Sequence, residues 1–141
     1  MRILHTMIRV GNLERAIAFY TEVLGMQLLR LKDYPDGKFT LAFVGYGSEE
    51  DGAVIELTHN WGTEGDDNFK YHDGNAQPQG FGHICFSVPN LDVAVAWFDQ
   101  NNVTYVKRPD QGKMKDVAFI KDPDGYWIEI VEPARLKQLG L

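Results

Sequence analysis

A chain of 141 residues, 44% hydrophobic, 24% charged and 12% aromatic, has room for one core of ordinary size, which argues against a long multidomain arrangement and against wholesale disorder. Its 14 basic and 20 acidic side chains leave a formal charge of -6, the wrong sign for neutralising phosphates, so no nucleic-acid role is expected. A single cysteine, Cys85, can make neither an internal disulfide nor a thiolate metal cluster, and no run approaches the ~20 apolar residues of a membrane span. No membrane partner is expected, and the chain is expected to be cytoplasmic.

In chain order, the apolar run from His5 to Val10 predicts a strand. Asn12 follows as a helix N-cap, with Glu14 in the first turn where the helix dipole favours a negative charge. Leu13, Ala16, Ile17, Tyr20 and Leu24 then mark one apolar helical face, and Gly25 can take the left-handed conformation that stops it. Three β-rich runs come next, at 26–31, 39–46 and 54–59. The stretch 62–80, rich in Gly, Asp, Asn, Gln and Pro without sustained periodicity, predicts a connecting loop.

The order then recurs. A His-led run from His83 precedes the cap Asn90 with Asp92, a helix on Leu91, Ala94, Val95 and Phe98, a stop at Asn101-Asn102, and strands at 104–107, 115–121 and 126–132. Asp122-Pro123-Asp124-Gly125 has the composition of a tight turn, making the last two strands a hairpin. The expected fold is α+β: two repeated βαβββ modules at 1–61 and 81–134, joined by the loop, with a C-terminal tail at 135–141. Direct comparison supports the duplication. His5 to Leu13 aligns with His83 to Leu91, Leu41-Ala42-Phe43-Val44 with Val117-Ala118-Phe119-Ile120, and Val54-Ile55-Glu56-Leu57 with Trp127-Ile128-Glu129-Ile130.

Each repeat therefore carries one His and one Glu in the same places. Strand alternation puts Glu56 and Glu129 on the face away from their apolar neighbours, and a carboxylate drawn out of water needs a partner. Four imidazole and carboxylate donors without a thiolate suit Ni²⁺, Co²⁺, Mn²⁺, Fe²⁺ or Zn²⁺. His5, Glu56, His83 and Glu129 are the candidate metal ligands. His59 and His72 have no counterpart in the other repeat and are expected at the surface; Cys85 is expected as a small core residue.

The segments Phe19-Tyr20-Thr21-Glu22-Val23-Leu24-Gly25-Met26, Glu56-Leu57-Thr58-His59-Asn60-Trp61-Gly62, Gly80-Phe81-Gly82-His83-Ile84, Gly112-Lys113-Met114-Lys115 and Asp122 to Glu129, with the His5 run, give the chain its resemblance to the glyoxalase I family of the vicinal oxygen chelate superfamily. The resemblance covers essentially the whole chain. It implies isomerisation of the hemithioacetal of methylglyoxal and glutathione to S-lactoylglutathione, with glutathione as cosubstrate and one divalent metal per site. It also implies Glu129 as general base, with Glu56 a ligand that acts on the other stereoisomer, and a homodimer in which His5 and Glu56 of one chain meet His83 and Glu129 of its partner. Arg9, Asn60, Lys107, Met114 and Trp127 are the implied substrate contacts, within a local concentration of cations at Arg9, Lys107, Arg108, Lys113 and Lys115. Gln79 stands where the eukaryotic branch has an arginine. His5 as a ligand and the short first module resemble the nickel or cobalt class, whereas the long 62–80 loop resembles the zinc class. Another metal-dependent enzyme of the superfamily, such as an epimerase or thiol transferase, and a metal-free sequestering module are the rival expectations.

Overall fold

The computed structural model describes residues 1–138 and 140. Strand β1 (His5–Arg9), helix α1 (Leu13–Ala18) and strands β2 (Gln27–Tyr34), β3 (Phe39–Gly45) and β4 (Val54–Asn60) are followed by β5 (His83–Ser87), α2 (Leu91–Gln100), β6 (Tyr105–Lys107), β7 (Val117–Lys121) and β8 (Trp127–Val131), and then by a short α3 (Pro133–Gln138). The chain divides into two compact units, Met1–Tyr71 and His72–Leu141. Each holds a four-stranded sheet, in the orders β1-β4-β3-β2 and β5-β8-β7-β6. The first strand of each set runs parallel to the last and the remaining pairs are antiparallel, so the helix carries the chain across the sheet from the first strand to a second that runs the same way at the far edge. This is the α+β, twice-repeated βαβββ architecture expected from the sequence.

Both predicted caps form. Asn12 Oδ1 accepts from Arg15 N at 3.0 Å, and Asn90 Oδ1 accepts from Val93 N at 2.9 Å. The first helix does not continue as an α-helix, however. After Ala18 it passes into a π-helical turn, Phe19–Val23, in which Leu24 N donates to the Phe19 carbonyl at 3.2 Å. Apolar spacing cannot separate the two forms over a single turn, because both keep Ala16 and Tyr20 inward, and both side chains are fully buried. Gly25 (φ +72) and Asn102 (φ +53) supply the left-handed residues after the helices.

Alternation along the strands sends Ile8, Ala42, Val44, Ile55 and Leu57 to the core of the first unit and Ala118, Ile120, Ile128 and Ile130 to that of the second. Fully burying one such Leu or Ile contributes about 1.5–3 kcal/mol. Strand β2 runs to Tyr34, beyond the expected end at 31, because Thr40 Oγ1 donates to Asp33 Oδ1 at 2.6 Å and Tyr34 stacks on Phe39 with ring centroids 4.8 Å apart. The 122–125 turn closes as expected. Asp122 Oδ1 accepts from Asp124 N and Tyr126 N, each at 2.9 Å, and Gly125 takes φ +89.

Three expectations need correction. His59 is not a surface residue: it lies on the Ile55–Leu57 side of β4 and is only 8% exposed. Its Nε2 stands 2.8 Å from Glu64 Oε2, which also accepts from Gly62 N at 2.8 Å. The N–H groups of Glu64 itself and of Gly62, with His59 adding to them, hold the Glu64 carboxyl below the usual carboxylate range. Cys85 is exposed rather than a core residue. The stretch expected as a tail begins inside α3, where Arg135 bridges Asp92, Asp116 and Glu132 at 2.6, 3.2 and 2.9 Å; Leu139 and Leu141 lie outside the described residues. His72 is exposed, as expected, with Nε2 2.9 Å from the Pro78 carbonyl oxygen. Among the described residues, no helix is long and apolar enough to cross a membrane.

Candidate functional site

Strand period and parallel register place the chemistry. His5, Met7 and Arg9 share one face of β1, and Met7 stands directly opposite Glu56 of β4. The imidazole two residues earlier reaches along the strand to that carboxylate, with Nε2 3.0 Å from Glu56 Oε2. The second unit repeats the arrangement. His83 and Cys85 share a face of β5, Cys85 stands opposite Glu129 of β8, and His83 Nε2 is 3.0 Å from Glu129 Oε2. The imidazoles are 41% and 39% exposed and the carboxylates 13% and 18%, so each pair presents its ring to the outside while the sheet covers most of its carboxylate.

A phenylalanine backs each pair. Phe43 and Phe119 lie opposite Glu56 and Glu129 in register, and each meets the neighbouring histidine edge-on, with centroids 5.8 Å and 5.2 Å apart. Such contacts fix a ring's orientation. The sequence already aligned these two residues within its repeated Leu-Ala-Phe-Val and Val-Ala-Phe-Ile blocks, which was the signal for their role; only the register shows that they face the acids. Thr58 was likewise not singled out. Its Oγ1 donates to Glu56 Oε1 at 3.2 Å.

The donor set fits a divalent ion. A nitrogen and an oxygen each about 2.1 Å from one cation, at a right angle, stand about 3.0 Å apart, and that is the separation found in both pairs. Among the described residues, no group of three or more His, Cys, Asp and Glu side chains gathers at one point; each unit brings one His and one Glu together. Although Cys85 is exposed as a residue, partial burial of its sulfur, and then the Glu129 charge and hydrogen bond, push the thiol up to about 11. At neutral pH that thiol is protonated and acts as a donor toward Glu129.

Of the implied substrate contacts, Arg9 and Asn60 fall on the same face of the first sheet as His5 and Glu56, because the side chains of 5, 7 and 9 and of 56, 58 and 60 alternate together. Trp127 lies opposite His83 in register, packs against Phe119 with centroids 5.8 Å apart, and buries an indole N–H that has no partner among the described residues. Lys107 pairs with Phe119, but its ammonium donates to the carbonyls of Val117 and Arg108, at 2.5 Å and 3.3 Å. Burial, and the nearby Lys115, hold its pKa below the usual lysine range. Met114 is exposed in the loop before β7, outside the strands that carry the acids. Lys115 in the same loop donates to the Asp110 carbonyl.

The profile of the Glyoxalase/Bleomycin resistance protein/Dioxygenase superfamily matches residues 2–130. The chain is 53% identical to a lactoylglutathione lyase of Salmonella typhimurium, covering 94% of this chain and 93% of that one. It is 47% identical to a lactoylglutathione lyase of Pseudomonas aeruginosa, covering 96% and 85%. Among solved structures, it superposes on a trypanothione-dependent glyoxalase I of Leishmania major with a TM-score of 0.82 and 40% identity, covering 99% and 92%.

Proposed function

The chain belongs to the Glyoxalase/Bleomycin resistance protein/Dioxygenase superfamily and within it to the lactoylglutathione lyases, and from that premise we propose that His5, Glu56, His83 and Glu129 hold one divalent cation per site, two from each chain of a homodimer. The observation that carries this reading is the repeated His–Glu–Phe arrangement, with the same 3.0 Å nitrogen to oxygen separation in both units. Each unit brings one His and one Glu together, and in the proposed dimer a second copy supplies the other two donors.

The reaction isomerises the hemithioacetal of methylglyoxal and glutathione to S-lactoylglutathione. The proton to be moved sits on the carbon bearing sulfur and hydroxyl, and its loss leaves an enediolate whose charge lies on two adjacent oxygens. A divalent cation held by the four donors supplies Lewis-acid stabilisation of that charge. Glu129 takes the proton from the sulfur-bearing carbon and delivers it to the neighbouring carbon, while a proton passes between the oxygens to give the thioester and the new hydroxyl. Glu56 stays a ligand for one hemithioacetal stereoisomer and serves the other as base. His5 and His83 bind and orient, their rings fixed by Phe43 and Phe119. Arg9 and Asn60 take the carboxylate and amide groups of glutathione, and Lys107, Met114 and Trp127 complete the substrate contacts.

The deciding experiment strips the protein with a chelator and returns Ni²⁺, Co²⁺, Mn²⁺ and Zn²⁺ in turn, assaying turnover with methylglyoxal and glutathione alongside bound metal and molecular mass. One metal per chain in an active dimer is expected, with the nickel or cobalt and zinc classes separated by which ion restores most activity. Full turnover by the stripped protein, or by a monomer, would overturn the site.

A further inference from the structure

The two carboxylates are not held alike, and the difference falls on one residue. Glu56 has both oxygens engaged. Oε2 faces His5 Nε2 at 3.0 Å, and Oε1 accepts from Thr58 Oγ1 at 3.2 Å. Thr58 is itself only 7% exposed, so water competes little for that hydroxyl. Glu129 faces His83 in the same way, but the residue two places further along its strand is Val131, which has no donor to offer. The side chain nearest in register is Cys85, from the neighbouring strand, whose thiol is a weaker donor than a hydroxyl.

We propose that Thr58 is a positioning residue that holds Glu56 in its ligand geometry, and that the valine in its place in the second module leaves Glu129 the less restrained acid and so the main proton carrier, Glu56 acting as base only on the other stereoisomer. This rests on the metal-site reading above. At 3.2 Å the O–H to carboxylate contact is a long hydrogen bond, charge-assisted and shielded from water. It restrains the rotamer and so keeps the other oxygen directed where His5 Nε2 also points. A general base needs the opposite: an oxygen that can gain a proton, swing and release it. Equivalent acids on the two strands are thus held to different degrees, and one hydroxyl makes the difference.

The test uses the full chain with Thr58→Val, Thr58→Ser and Val131→Thr, measuring metal affinity by competition with a chromophoric chelator, kcat and KM at saturating metal, and the melting temperature. Thr58→Val is nearly isosteric and is expected to weaken metal binding by about 10–100-fold, the range for lost outer-sphere partners of a ligand, while Thr58→Ser restores affinity to within about threefold. Val131→Thr gives Glu129 the hydroxyl it lacks and is expected to lower kcat at least about 10-fold without weakening metal binding. Wild-type affinity in Thr58→Val, failure of Ser to rescue, or full kcat in a folded Val131→Thr would each overturn the assignment of Thr58 while leaving the metal site standing. A wild-type protein that binds no metal would overturn both.

Discussion

The two sheets keep the same His, Glu and Phe in the same register and differ in almost everything that touches them. In the first, Met7 lies opposite the acid, Thr58 donates to it, and Arg30 stands 3.8 Å over the Phe43 ring. In the second, Cys85 lies opposite the acid, Val131 replaces Thr58, and Trp127 packs on Phe119. The strand ends diverge too. His59 closes the end of β4 onto Glu64, which also accepts from Gly62 N, whereas at the matching place after β8 Glu132 Oε2 accepts from Leu91 N and Arg135 Nε, both at 2.9 Å, tying the strand to the start of α2. What the duplication retained is the His–Glu–Phe frame; what it let drift is how firmly each acid is held and how each unit is fastened together.

The sharpest way to break this comparison is to neutralise each acid in turn. Glu129→Gln is expected to lower kcat by about 10²–10⁴-fold while most of the metal stays bound, and Glu56→Gln to act first on metal affinity. Equal effects of the two on both quantities would mean that the units are functionally symmetric.

The next largest effect concerns Cys85. Raised from an ordinary 9.0 to about 11, the thiol of metal-free protein should alkylate about 100-fold more slowly at pH 7.5 than an unperturbed cysteine, and should gain speed only as the pH approaches 11. A raised thiol pKa lowers the thiolate fraction at every pH below it, so the sign is unambiguous. Glu129→Gln removes one cause of the shift and should accelerate the reaction; alkylation at ordinary speed in the wild type would show that the acid does not bear on the thiol.

Smallest are the strand-end contacts, read by urea unfolding. Glu132→Ala removes a charge-assisted bond to a helix-start N–H and should cost about 1.5–3 kcal/mol, while His59→Leu replaces a buried imidazole by an apolar side chain of similar size and should cost about 1 kcal/mol, since exposed Glu64 regains water. A reversed order would mean that the first unit depends on its loop clamp more than the second depends on its helix tie.

Much of the fold was legible because it rests on local periodicity. Asn12 and Asn90 cap where expected, Gly25 and Asn102 take positive φ after the helices, and Gly125 does so in the final hairpin. The His and Glu positions were legible because they recur in register across the repeat. The π-helical turn was not, since an extra residue in one turn leaves the inward side chains unchanged. His59 was misplaced because a histidine at a strand end gives no sign of which face it takes; its partner Glu64 lies across a turn that needs Gly62 at φ +107. Lys107 was a legible cation, but not that its ammonium would be taken up by the carbonyls of Val117 and Arg108.

By itself the sequence determined the twofold plan, one His and one Glu in matching places of each repeat, and the chemistry that such groups allow, because residue type, alternation and repetition are properties of the chain. Only the tertiary structure decided that Met7 faces Glu56 and Cys85 faces Glu129, that Phe43 and Phe119 back the histidines, and that one acid but not the other receives a hydroxyl. Those contacts depend on the parallel and antiparallel register between strands distant in sequence, and a shift of one residue would have turned every one of these side chains to the opposite face.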